Sequence, residues 1–162
     1  MKSSPSESLH YEALKSRLIE LDEVLARDWK ADERTWLQAV EATARVLFSI
    51  LEQHQNVSET EGGLLVSATD LKPGLIPESE RVKDEHAEML RRASDLQSMA
   101  ALQIVSDDFD AEAVCLEMTI LRTILQAHLG RVDTLMYDAY FRVEGGEGVS
   151  APLPELPELG GP

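Results

Sequence analysis

The stretch VCLEMTILRTILQAHLGRVDTLMYDAYFRV, residues 114–143, decides the fold. Apolar side chains recur along it at steps of three and four residues, at Val114, Met118, Leu121, Leu125, Val132, Leu135 and Ala139. Because an α-helix has about 3.6 residues per turn, this spacing places them on one face of a helix. His128 fills the gap between Leu125 and Val132 and belongs to the same face. We therefore predict one long helix here, packed by this face against the rest of the chain.

A first helix is predicted near the start of the chain. Ser4 has the position of an N-cap, Pro5 that of the first helical residue, and Glu7 completes a capping box. The apolar face of this helix consists of Leu14, Leu18, Leu21 and Leu25. His10 lies four residues before Leu14 and continues that face.

A second helix is predicted from about Glu33, capped by Asp32, to the mid-50s, where His54 ends its apolar face. The other members of this face are Trp36, Val40, Thr43, Leu47 and Ile50. Gly62–Gly63 is expected to end the helix. The connection from there to Pro77 is longer than most in helical bundles, so we expect it to hold a short element or to cover another part of the protein.

A third helix is predicted from Pro77 to about Ile104, and residues 106–108 (Ser-Asp-Asp) are predicted to end it and to cap the fourth. Its apolar face consists of Val82, His86, Met89, Ala93, Leu96 and Ala100. Four long amphipathic helices with mostly short turns predict an all-α fold, an up-down-up-down antiparallel four-helix bundle. We assign residues 1–147 to this bundle and expect the acidic, Pro/Gly-rich tail, 148–162, to be disordered.

The composition narrows the classes of partner and compartment. The net charge of −15 argues against nucleic acid and against anionic membranes as partners. One cysteine, Cys115, excludes an internal disulfide and fits a reducing compartment. There is no signal-peptide pattern and no apolar run of the roughly 18 residues that span a bilayer. We therefore expect a soluble, cytoplasmic protein.

The four histidines of the chain fall one on each predicted helix, and each lies on the apolar face. In an antiparallel bundle, His10, His54, His86 and His128 would converge at one depth in the interior. Unpaired buried imidazole nitrogens cost about 1–3 kcal/mol each, and a metal ion removes that cost. Neutral imidazole binds Fe, Zn, Cu or Ni, so the pattern predicts a metal site. Four structural core histidines with separate partners are the alternative.

Two carboxylates follow the histidines of the second and fourth helices. Glu59 lies five residues after His54, and Asp133 lies five after His128. A five-residue offset turns a helix by about 140°, so these groups reach the site only at the edge of the face or through a π-bulge. Glu61 would be better aligned if the helix continued through it, which the following glycines oppose. The number of metal ions therefore stays open at this point.

One histidine per helix, with an acidic residue after the second and the fourth, resembles the hemerythrin-like (HHE cation-binding) domain family. The local sequence is similar in four segments, SLHYEAL (8–14), HQNVSE (54–59), DEH (84–86) and HLGRVD (128–133). The resemblance covers about residues 5–147. It implies a non-haem di-iron centre that binds O₂ or another small diatomic ligand, or senses oxygen, iron or nitric oxide. The four histidines would then be terminal ligands, and Glu59 and Asp133 would bridge the two irons.

This sequence differs from that family in the number of side chains that could bind the metal. Oxygen-carrying hemerythrins have a second histidine one turn after the first on the third helix, where this chain has Leu90. Many hemerythrin-like domains have glutamate four residues after the second and fourth histidines, where this chain has Ser58 and Val132. A more open site, a single metal ion and the loss of reversible O₂ binding are therefore alternatives. Iron is preferred over zinc only through the resemblance, because both metals accept these donors.

Other classes of protein fit the sequence less well. A ferritin-like di-iron enzyme needs two Glu-x-x-His motifs, and only residues 7–10 have that form, with Leu51 and Lys83 in the corresponding places on the second and third helices. Cys115 lies about three turns from His128 and is expected to be a packed thiol, so no catalytic residue is predicted. The second hypothesis is a helical interaction module without metal, whose partner-binding features would be the 60–76 connection and the tail.

Overall fold

The computed structural model describes residues 5–142, with side chains from His10 onward. Within that range the chain forms five α-helices and one 3-10 turn and has no strand, which confirms the all-α prediction. The elements are α1 (Pro5–Leu25), α2 (Glu33–Glu59), α3 (Leu64–Leu71), the 3-10 turn (Pro73–Leu75), α4 (Ile76–Ser106) and α5 (Ala111–Tyr140). The predicted first and second helices are α1 and α2, and the predicted third and fourth are α4 and α5.

The four long helices pack around one apolar core. Helix α2 lies against α1 and α4, and α5 lies against the same two helices. Every predicted apolar position of α4 and α5 is buried, including His86 and His128. On α2 the buried face is wider than predicted, since it also takes in Leu37, Ala44 and Leu51, while Thr43 and Ile50 are half-buried. None of the described helices combines the length and apolarity needed to cross a membrane.

The helix ends follow the local capping chemistry. Asp32 caps α2, as predicted, by accepting a hydrogen bond from the Thr35 amide at 3.0 Å. The cap predicted for the fourth helix within residues 106–108 is wrong, because Asp110 caps α5 by accepting from the Ala113 amide at 3.0 Å. Asp107 instead ends α4 in the left-handed conformation, with φ of 54°. The Ser4–Glu7 cap and the tail, 148–162, lie outside the residues whose side chains are described.

The long connection holds a short element, as the sequence suggested. Helix α3 contributes Leu65 and Ala68 to a second apolar cluster, whose other buried members are Val82 of α4 and Val132, Leu135 and Ala139 of α5. Its N-cap, Gly63, follows Gly62, whose φ of 79° turns the chain out of α2. A Cβ at Gly63 would lie 2.3 Å from the carbonyl oxygen of Val57 and 2.7 Å from that of Ser58. Helix α3 therefore starts directly against the last turns of α2.

Replacing Gly63 with alanine is predicted to destabilise the protein by about 1–3 kcal/mol, because the backbone carbonyls that meet the new methyl group cannot rotate away as a side chain would. The control is Gly130→Ala, where a Cβ meets nothing within 4 Å. That substitution in a helix interior is expected to stabilise by about 0.5–1 kcal/mol. Urea unfolding of both variants measures the difference, and equal midpoints would contradict the close approach.

Candidate metal centre

Three of the four histidines lie together in the interior. His54 of α2, His86 of α4 and His128 of α5 are 4%, 1% and 0% exposed. Their ring centroids are 4.9–5.4 Å apart in all three pairings. One nitrogen from each ring can be chosen so that all three lie within 4.8 Å of one another. Three helices thus bring three imidazoles to one point in the core.

The nitrogens at this point are poorly satisfied by the protein. The Nε2 atoms of His54 and His128 are 3.3 Å apart, and the Nε2 atom of His86 is buried without a hydrogen-bond partner. An orphaned buried nitrogen of this kind costs about 1–3 kcal/mol. A cation bound at this point would give the nitrogen a partner.

Carboxylates occupy the other side of two of the rings. The Nδ1 atom of His86 lies 2.6 Å from Oε1 of Glu59, and the Nδ1 atom of His128 lies 3.0 Å from Oε2 of Glu85. An ionised carboxylate only accepts hydrogen bonds, so each Nδ1 carries the proton and donates it. With the proton on Nδ1, the neutral form of each ring has its lone pair on Nε2. The Nε2 atom of His128 faces Nε2 of His54, while that of His86 has no partner. This carboxylate–histidine arrangement is the one that typically orients metal ligands.

The Glu85 carboxylate is itself held by a cation. The Nε atom of Arg131 donates to Oε1 of Glu85 at 2.5 Å, while Nη1 of Arg131 lies 3.7 Å from Oε1 of Glu78. Burial would raise the pKa of Glu85, but the hydrogen bonds from His128 and Arg131 outweigh it and hold the pKa below its ordinary value. Glu85 is therefore ionised at neutral pH.

Burial also favours the neutral form of two of the rings, those of His54 and His86. It lowers the pKa of His54 to about 3, helped by the proximity of His86, His128 and His10. Burial likewise lowers the pKa of His86, although its hydrogen bond to Glu59 opposes the shift. The neutral imidazole is the form that binds a metal ion. His54 therefore stays deprotonated well below neutral pH.

The remaining predicted site residues lie at different distances from the three rings. His10 is half-buried on α1, near enough to His54 to affect its pKa, but is not one of the three close rings. The carboxylate of Glu59 contacts His86 rather than His54, as its five-residue offset from His54 suggests. Asp133 is exposed and lies beside Tyr11, whose pKa is raised by burial and by this carboxylate. Glu61 is exposed beyond the end of α2.

Sequence reasoning missed Glu85 and Arg131 as parts of the site. Arg131 lies three residues after His128, a spacing that places both side chains on one side of α5, so this residue had a readable signal. Glu85 precedes His86 and points to the ring of a different helix. Its role depends on how α4 and α5 are rotated against each other, which no spacing within one segment reveals.

The distance between two of the donor nitrogens, those of His54 and His128, suits a single small cation. Two nitrogens that each lie about 2.0–2.1 Å from one tetrahedral ion are about 3.3 Å apart, and the Nε2 atoms of His54 and His128 are separated by 3.3 Å. The fold and the cluster define a helical protein with a buried three-histidine site suited to a metal ion. Comparison with protein-family models, with curated proteins and with solved structures finds no match to this chain.

Metal-free protein is predicted to lose stability as the pH falls from 6.5 towards 3. His54 has a folded pKa of about 3 against 6.5 in the unfolded chain, so the unfolded chain takes up the proton first. The stabilisation is complete above the unfolded pKa and declines by up to about 1.4 kcal/mol per pH unit for this residue.

Urea midpoints measured in chelator between about pH 7.5 and 5, above the range in which most carboxylates titrate, test this. His54→Gln should flatten the decline, and an equal slope in wild type and variant would contradict the assignment.

Proposed function

We propose that this chain is a metal-binding helical bundle in which Nε2 atoms of His54, His86 and His128 bind one transition-metal ion. The observation that carries the proposal is the different surroundings of the two nitrogens of each ring. Carboxylates accept hydrogen bonds from the Nδ1 atoms of His86 and His128. One nitrogen from each of the three rings lies within 4.8 Å of the others, and the Nε2 atom of His86 is buried without a hydrogen-bond partner. Three protein ligands leave a coordination position open for a small ligand.

The resemblance to hemerythrin-like domains gives the proposal its more specific form. Short connections, 26–32 between α1 and α2 and 107–110 between α4 and α5, favour antiparallel neighbours and hence an up-down-up-down bundle. On this basis we assign iron as the preferred metal and O₂ or another small diatomic molecule as the ligand, for binding or sensing. Three neutral imidazoles bind zinc equally well, so metal analysis decides between the two.

A di-iron centre is the second candidate. Two observations favour it: His10 lies near His54, and the carboxylate of Glu59 already touches the cluster. It requires Glu59 to leave Nδ1 of His86 and Asp133 to turn inwards from the surface. Because the single-ion site needs neither movement, the geometry favours one ion over two.

A metal-free interaction module is the candidate from another class. The Nε2 contact between His54 and His128 and the edge-to-face packing of the three rings give the cluster some stability without a cation. Under this reading the histidines contribute only to core packing.

Metal titration separates the candidates. Wild-type protein is predicted to bind one Fe²⁺, Zn²⁺ or Co²⁺ per chain. Bound metal should raise the unfolding temperature, and the free energy of unfolding should rise by about 2.7 kcal/mol when free metal is 100-fold above the Kd. His54→Ala and His128→Ala should abolish binding, because each removes a ligand. Elemental analysis, calorimetry and thermal unfolding measure these effects.

The control variant is His10→Ala, which removes the histidine outside the close group. It should keep one ion per chain under the single-ion proposal and lose one of two ions under the di-iron candidate. Circular dichroism of every variant in chelator shows whether it is folded before metal is added. Folded wild-type protein that binds no stoichiometric metal, and is not stabilised by it, would leave only the metal-free module.

A further inference from the structure

The two outer carboxylates of the cluster have different surroundings. Glu85 uses both oxygens, accepting from His128 through Oε2 and from Arg131 through Oε1. Glu59 contacts His86 through Oε1, and no basic side chain among residues 10–142 forms an ion pair with it. One ring of the cluster thus contacts a carboxylate that is paired with an arginine, and another contacts a carboxylate without such a pair among residues 10–142.

The fixed carboxylate belongs to a chain of contacts between two helices. Glu78 and Glu85 are seven residues apart and therefore lie on one side of α4, two turns from each other. Arg131 of α5 reaches both, with Nε on Glu85 and Nη1 3.7 Å from Glu78. Arg131 and Glu85 are 36% and 20% exposed, so the pair separates the buried ring of His128 from solvent.

We infer that Glu85, held by Arg131, is a positioning residue that fixes the tautomer and orientation of His128 and thereby sets the metal affinity of the site. The inference rests on the proposed function and specifies it. With Nδ1–H donated to Glu85, the lone pair of His128 is on Nε2, and the negative charge makes that nitrogen a stronger donor. The charge-assisted hydrogen bond from Nε of Arg131 keeps the carboxylate from rotating into water.

Arg131 has two opposed effects on the site. Its positive charge weakens the electron donation from Glu85, and its hydrogen bond holds Glu85 in the geometry that His128 needs. Because Arg131 is more than a third exposed, water screens its charge, and the orienting effect outweighs the electrostatic one. Removing Arg131 should therefore weaken metal binding, by less than removing the charge of Glu85.

The test is Co²⁺ and Zn²⁺ affinity of the full chain, followed by calorimetry and by the Co²⁺ absorption spectrum. Glu85→Gln is expected to lower the affinity about 10–100-fold and to change the spectrum at saturating Co²⁺, because the ligand field at His128 changes. Arg131→Gln should show a smaller loss, and Arg131→Lys should recover part of it by retaining a cationic donor.

Glu117→Gln is the matched control, since it breaks another ion pair between α4 and α5, in which Nη1 of Arg92 lies 2.9 Å from Oε2 of Glu117. This variant should bind metal as the wild type does. Thermal unfolding in chelator should give similar midpoints for the Glu85 and Glu117 variants.

Two results would overturn the inference alone. One is that the Glu85→Gln variant has the same metal affinity and the same Co²⁺ spectrum as the wild type, while the wild type binds one ion. The other is an affinity loss that Glu117→Gln shares, which would mean that helix packing and not His128 is affected. A wild-type protein that binds no metal would instead overturn the proposed function, and this inference with it.

Discussion

The central physical constraint in this protein is the free-energy cost of burying imidazole nitrogens without hydrogen-bond partners. Three rings meet at the junction of α2, α4 and α5, and each has two nitrogens that need a partner. The fold supplies carboxylates on the outer side of two rings but only one nitrogen–nitrogen contact on the inner side. A bundle of Leu, Val, Met and Ala could have filled the same volume at no such cost. The imbalance is therefore the strongest indication of a ligand.

The surrounding helices keep the three imidazole rings buried, where their nitrogens have too few hydrogen-bond partners. Apolar layers on the helices exclude water from the rings and lower the pKa of His54 and His86. Glu85, which contacts His128, is half-buried and stays ionised. Helix α3 adds a second apolar cluster between the start of α4 and the second half of α5, and Gly63 lets it begin directly against the end of α2. Burial, charge and helix placement thus act together on the same three side chains.

Much of the fold was readable from the sequence, because a period of 3.6 in apolar residues is a strong and local signal. It predicted the buried faces of α4 and α5 and placed His54, His86 and His128 in the core. The cap at Asp110 was missed because several acidic residues in that turn suit the role equally. Glu85 was missed for a different reason: its contact with His128 joins residues 43 positions apart and depends on how two helices are turned.

Helix α1 has a distinct place among the four long helices, because none of the three clustered rings belongs to it. It lies against α2 and α5, which carry His54 and His128, and is fastened to α5 by the Tyr11 hydroxyl and by the Asp22–Arg122 ion pair. The contacts among the three rings therefore do not depend on a side chain of α1. An ion bound to the three rings, as proposed, would therefore link α2, α4 and α5 and leave α1 outside that link.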